Sequence, residues 1–138
     1  MSTRSFIGKQ GVDGSIRAIY CHGDGYPEGV GSTLFEFYQD EAKIDALLDL
    51  GDLSALGAEL GKQHDFDGDR GNACRAYGRD RGESNVDAKT YSHMPAFLQA
   101  AHGSGAEYAY VFIDGRWFYT SVSYRGITFE LHDLSAVV

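Results

Sequence analysis

Hydrophobic positions recur along the chain with two different periods, and the changes of period mark out its elements. Residues 4–8 and 15–22 alternate β-branched or aromatic residues with smaller and polar ones. The QGVDG between them, centred on Asp13 and Gly14, is turn chemistry, so the pattern predicts an N-terminal hairpin. A helical period follows: Leu34, Phe35, Phe37 and Tyr38 fall at helical spacing. Ile44, Leu47 and Leu48 repeat it behind the N-cap candidate Asp40, with Gly51 placed to end that second helix. LSALG, residues 53–57, reads as a short extra turn packed by Leu53 and Leu56. Residues 61–72, GKQHDFDGDRGN, carry no apolar period and are expected to form an exposed loop tolerant of length change. ACRAYG, from Ala73, reads as a strand. Ser92 is placed to cap a helix running through Phe97 and Leu98 to about His102, with Pro95 accommodated in its first turn.

The last third is the clearest β signal. EYAYVFI is followed by Asp114-Gly115, whose residue types suit the positive φ angles of a two-residue hairpin turn. RWFYTSVSY, a turn near Arg125-Gly126, and ITFELH extend this into a meander. Tyr108, Tyr110 and Phe112 share one face of the first of these strands while Ala109, Val111 and Ile113 share the other. Neither face is polar, which predicts a central strand covered by helices on one side and by a loop, ligand or partner on the other. The expected fold is a single α+β domain over residues 1–138, an antiparallel, meander-like sheet with about three helices packed on it.

Composition narrows the function classes. A chain of 138 residues can bury roughly 65–70% of its unfolded surface, so folding needs neither disulfide nor metal. Two cysteines, Cys21 and Cys74, are too few for a disulfide framework, and the N-terminal residues lack the apolar core of a secretory signal, which predicts a cytoplasmic protein. No apolar run reaches the roughly 20 residues needed to span a bilayer. Net charge is −8, from 20 acidic against 12 basic side chains, which argues against general attraction to nucleic-acid backbones and leaves room for a small anionic ligand held by a few local arginines. Nine tyrosines supply rings that stack and hydroxyls that hydrogen-bond.

The stretch YCHGDGYPEGVG, residues 20–31, concentrates chemistry-bearing types. Cys21 and His22 are a nucleophile and a base by type, but neighbours on a strand point to opposite faces, which disfavours a catalytic pair. His22, Asp24 and Glu28 are of metal-ligand type without a recognisable ligand spacing. Asp65, Asp67 and Asp69 alternate like the start of a calcium loop, yet Arg70 stands at the sixth position and Ala76 at the twelfth, where such loops need glycine and glutamate. The glycines before Ser32 and Thr33 match neither phosphate-loop spacing, so no metal and no cofactor is expected. RAYGRDRGE, residues 75–83, gathers Arg75, Arg79 and Arg81 beside Tyr77 in an otherwise acidic chain, a set suited to a phosphate or a stacked base. Mutual neutralisation by Asp80, Glu83 and the acidic loop before them accounts for the same residues equally well. Arg116 and Trp117 form a third cluster, with Trp117 expected to anchor the core.

IYCHGDGYPEGVG at residues 19–31, LGDLSALG at 50–57, AYGRDRGE at 76–83 and DGRWFY at 114–119, together with the STRS near the start, resemble a set of small bacteriophage and prophage proteins. Gly23 departs from the bulky residue common in the first motif, and Gly78 from the polar residue common before the arginine. The set is similar to the phage Thoeris anti-defence sponges, which bind and sequester cyclic ADP-ribose-type and in some members cyclic oligonucleotide signals. That resemblance implies a non-enzymatic, homo-oligomeric protein of the infected host's cytoplasm, with arginines for phosphates and aromatics for adenine. By residue type the resemblance points to Tyr77, Arg79, Arg81, Tyr91 and Arg116 as the ligand-binding set. His22, Asp24, Tyr26 and Glu28, where the strand-to-helix turn opens, are expected to wall a pocket completed by the arginines of RAYGRDRGE or by a second subunit. Two other readings stand beside it: an acidic interaction protein that mimics nucleic acid and blocks a host defence enzyme, and a small hydrolase using His22, Asp24 and Glu28.

Overall fold

The computed structural model describes residues 2–122 and 130–137. β1 (Ser5–Gln10) and β2 (Ile16–Cys21) form the expected hairpin, in register from Ser5 opposite Cys21 to Gln10 opposite Ile16. Its turn is closed by Gly11 N–H on the Ser15 carbonyl at 2.8 Å, and by the Asp13 carboxylate, which accepts from both the backbone and the hydroxyl of Ser15. The chain then passes through one turn of π-helix at Pro27–Gly31 into α1 (Ser32–Phe37) and α2 (Glu41–Asp49). Asp40 caps α2 by accepting from Ala42 N–H, which satisfies a backbone donor that has no partner inside the helix.

The sheet is mixed rather than antiparallel. Its order is β4-β3-β2-β1-β6-β7-β8, where β3 is Leu53–Ala55, β4 Arg75–Ala76, β6 Tyr108–Ile113, β7 Arg116–Ser121 and β8 His132–Asp133. β3 runs parallel to β2 and β6 parallel to β1. Both pairs are joined through helices, which bring the chain back to the end it started from; tight turns join only antiparallel neighbours. LSALG is therefore not an isolated turn: its first three residues are the short strand that α1 and α2 return to the sheet. ACRAYG, read as a strand, keeps only two residues of β4 before α3 (Tyr77–Arg81) begins, and Gly82 ends that helix in the left-handed conformation at φ 73°. β5 (Lys89–Tyr91), which no sequence signal marked, pairs with the first half of β2. His93 rather than Ser92 caps α4 (Met94–Gly103).

Asp114 and Gly115 both have positive φ, 48° and 81°, and close the β6–β7 hairpin as their types require. The turn near Arg125-Gly126 and residues 127–129 of the third meander strand lie outside the described residues; β8 pairs antiparallel to β7 with Asp133 opposite Phe118. Both faces of β6 carry helices. Ile7, Ile19, Tyr110 and Phe112 pack with Leu34, Ile44 and Leu47 of α1 and α2. Phe6, Ile16, Ala18, Ala109 and Val111 pack with Phe97, Leu98 and Ala101 of α4, so α4 supplies the second cover that the sequence left to a loop, ligand or partner. Trp117 is buried and its indole N–H donates to the Tyr38 carbonyl at 2.8 Å, a core anchor as expected. No helix among the described residues is long and apolar enough to cross a membrane.

Candidate ligand-binding cleft

One edge of β2 changes partner along its length. Ile16, Arg17 and Ala18 pair with β5, whereas Cys21 pairs with Leu53 of β3. Between them, at Ile19 and Tyr20, no strand among the described residues pairs with this edge. The Tyr20 N–H is instead taken by the side chain of Asp52, whose Oδ1 accepts it at 2.9 Å. A cavity of about 290 Å³ opens at this fork, lined by Phe6, Tyr20, Asp52, Lys89 and Tyr91 among others. That volume lies just under the lower end of small-molecule sites, about 300 Å³.

The walls are aromatic because β2 and β5 place Tyr20 and Tyr91 on the face that Phe6 and Phe97 occupy. Phe6 meets Tyr20 edge-on with centroids 6.3 Å apart and tilts against Tyr91 at 6.5 Å. The polar members come from the ends of the short strands. Asp52 follows Gly51, which ends α2 at φ 77°; a Cβ there would come within 2.4 Å of the Val86 carbonyl, which itself accepts Asp52 N–H at 2.7 Å. Glycine is thus required for the chain to bring Asp52 to the fork. Burial pushes the Asp52 carboxyl above the ordinary carboxylate range, against the Tyr20 N–H and the nearby Lys89 charge, which pull it down. Lys89 makes no hydrogen bond or ion pair among the described residues.

Among the residues singled out from the sequence, Tyr91 lines this cleft. His22 borders it, with Nδ1 2.7 Å from the Tyr20 hydroxyl. Tyr77 does not line it: its backbone N–H donates to the Asp52 carbonyl at 3.2 Å, and its ring stacks on Phe66 with centroids 5.6 Å apart. The others are held elsewhere. Arg79 is consumed internally: Nε pairs with Asp80 at 2.9 Å, Nη1 donates to the Leu60 carbonyl at 2.7 Å and Nη2 to the Cys74 carbonyl at 2.8 Å. Arg81 stacks over Phe66 at 4.4 Å and Tyr77 at 5.0 Å and pairs with Glu83. Arg116 pairs with Asp133. It sits opposite Ile113, four residues along β6 from the level of Phe6 and Tyr20, roughly 13 Å away at strand spacing.

Asp24 and Tyr26 hydrogen-bond to each other at 3.3 Å. Asp24 and Glu28 line a separate cleft of about 240 Å³ with Glu36 and Arg70, and His22 is not among its lining residues. The first motif is mainly geometry: Gly25 N–H donates to the Thr3 carbonyl, Val30 N–H to the Asp24 carbonyl, and the Tyr110 hydroxyl to the Gly25 carbonyl at 2.7 Å. Among the described residues no group of three or more His, Cys, Asp or Glu side chains is arranged to hold a metal ion. Cys21 is fully buried and its thiol is pushed up to about 12 by burial, which removes the thiolate a nucleophile needs.

Asp52, Lys89, Tyr20 and Phe6 escaped the sequence reading. The one signal for Asp52 was a charged residue directly between a helix-ending glycine and a buried leucine. No family model matches the chain, and neither a curated protein nor a solved structure matches it.

Proposed function

We propose that this protein holds a small nucleotide-type ligand in the cleft at the fork of β2 and withholds it, without converting it. The observation that carries the reading is the cleft itself, lined by aromatic rings, a half-buried carboxylate acceptor and the Lys89 ammonium, which has no hydrogen bond or ion pair among the described residues. Such a set suits a planar base flanked by phosphate: rings give stacking area, Asp52 accepts from N–H groups and Lys89 neutralises anionic oxygen. The buried Cys21 thiol, and the absence of His22 from the lining of the cleft that holds Asp24 and Glu28, favour binding over hydrolysis.

The phage counter-defence role implied by the sequence motifs, sequestration of a cyclic ADP-ribose-type signal, fits this chemistry. The supporting cation is Lys89 rather than Arg79, Arg81 or Arg116. Titration calorimetry with cyclic ADP-ribose isomers and cyclic dinucleotides tests the reading. Binding is expected with Tyr91→Ala weakening it, and the ligand recovered after heat denaturation is expected to be unchanged by mass spectrometry. Absence of heat at tens of micromolar protein, or recovery of a hydrolysed product, overturns it.

A further inference from the structure

Aspartate followed by glycine occurs four times, at Asp13-Gly14, Asp24-Gly25, Asp67-Gly68 and Asp114-Gly115. In each pair the glycine nitrogen can attack the preceding side-chain carboxyl, because glycine has no side chain to obstruct the approach. The local chemistry is the same at all four, so the fold decides which pair reacts. Attack needs a glycine N–H that no acceptor holds and a carboxyl free to swing onto it.

Three of the pairs are held. The Asp13 carboxylate accepts from the Ser15 N–H at 3.0 Å and the Ser15 hydroxyl at 2.7 Å, and Gly14 N–H donates to the Gly11 carbonyl at 3.1 Å. Asp24 accepts from the Tyr26 hydroxyl, and the buried Gly25 donates to the Thr3 carbonyl at 2.8 Å. Gly68 N–H donates to the Asp65 carbonyl at 3.0 Å. Asp114 and Gly115 differ: both are exposed, and neither the carboxylate nor the glycine N–H has a hydrogen-bond partner among the described residues. A Cβ placed on Gly115 would meet no atom within 4 Å, so the space around this turn is open.

We infer that Asp114 is a site of spontaneous covalent modification, isomerising to isoaspartate through a succinimide formed with Gly115. The Gly115 nitrogen loses its proton and bonds to Asp114 Cγ, and the carboxyl hydroxyl leaves as water. A water then reopens the ring. Addition at the side-chain carbonyl restores aspartate, whereas addition at the main-chain carbonyl gives isoaspartate, so nothing is consumed overall. Isoaspartate carries the chain through Cβ and adds a methylene between Ile113 and Arg116, in a turn built from two residues at positive φ. That turn sets the register that places Phe112 opposite Trp117, so the modification strikes the hairpin of the central strand.

Native protein aged at neutral pH and physiological temperature tests this. Peptide mass spectrometry with electron-transfer fragmentation separates isoaspartate from aspartate of equal mass and locates it. Isoaspartate is expected at Asp114 about fivefold or more above each of the other three positions, the effect on rate of one net hydrogen bond that each of those must first break. The same chain aged in guanidinium is the control: with the fold gone, the four pairs are expected to convert at similar rates. Isoaspartate spread evenly over the four pairs of the native protein, concentrated at another pair, or absent from Asp114 overturns the inference. So does a preference for Asp114 that persists unchanged in guanidinium, since the fold would then not be its source. Every outcome is read on the wild-type chain, so none depends on a variant that must fold.

Discussion

The Arg79 guanidinium and the Asp80 carboxylate, neighbours in sequence, form a buried pair in which the carboxylate is fully inaccessible and the guanidinium is 17% exposed. Asp80 also accepts from Ala76 N–H at 2.8 Å and His64 N–H at 3.1 Å. Arg79 reaches on to the carbonyls of Leu60 and Cys74. This pair therefore ties α3 to both ends of the acidic segment 61–72, whose composition alone reads as a free loop. Burial by itself raises the Asp80 carboxyl, but the Arg79 guanidinium and the two N–H donors outweigh it and hold it below the ordinary carboxylate range.

Arg79→Met should cost about 3 kcal/mol or more, because it strands a buried carboxylate and two carbonyls. Arg79→Lys should recover little, since an ammonium cannot reproduce the forked set of donors. Urea unfolding monitored by circular dichroism measures both. A loss below about 1 kcal/mol would show that the pair is not a structural tie.

His64 makes this tie pH-dependent. Its Nδ1 lies 2.9 Å from the Asp65 carbonyl and its Nε2 3.1 Å from the Cys74 carbonyl, so both ring nitrogens face acceptors and only the protonated ring satisfies both. The Asp65 carbonyl first, then that of Cys74, with a smaller push from the Asp80 charge, raise its pKa above the ordinary 6.5; burial and the Arg79 charge oppose this. A raised folded-state pKa means that the stabilisation is fully present below about pH 6.5 and is lost as pH rises through the higher folded value. Limited proteolysis in segment 61–72 should accelerate between pH 6 and pH 8. His64→Gln should flatten that difference. An unchanged pH profile in His64→Gln would rule His64 out as its source.

Cys21 and Cys74 are both fully buried, and burial pushes the Cys21 thiol up to about 12. Alkylation with iodoacetamide at pH 8 should be negligible for native protein and complete in guanidinium, and Cys21→Ala should leave ligand binding intact. Rapid labelling of Cys21 in the native state would reopen a nucleophilic role for it.

Trp117 joins β7 to the loop after α1 through its indole N–H on the Tyr38 carbonyl at 2.8 Å, and its ring meets Phe112 at 5.2 Å. Trp117→Phe removes that bond and part of a buried volume, for an expected loss of about 2–3 kcal/mol. The sole tryptophan should emit at short wavelength when folded and shift to the red on unfolding, which gives a direct readout of the same transition.

The sequence by itself determined the local elements whose signals are local. The hairpin around Asp13-Gly14 follows from turn chemistry, α2 from Asp40 and its apolar spacing, and the β6–β7 turn from two residues that tolerate positive φ. It also determined that Trp117 is core and that Cys21 and His22 do not pair. Only the tertiary structure decided that the sheet is mixed, because strand direction is set by where a helical crossover returns the chain, not by the residues of the strand. It likewise decided which arginines were already engaged: Arg79 has the same composition-level signature as a phosphate ligand, and only the positions of Asp80, Leu60 and Cys74 show its donors occupied. The cleft was illegible for the same reason. Phe6, Tyr20, Asp52, Lys89 and Tyr91 are scattered over most of the chain, and what makes them neighbours is a change of strand partner along β2, a relationship between segments that no single segment encodes.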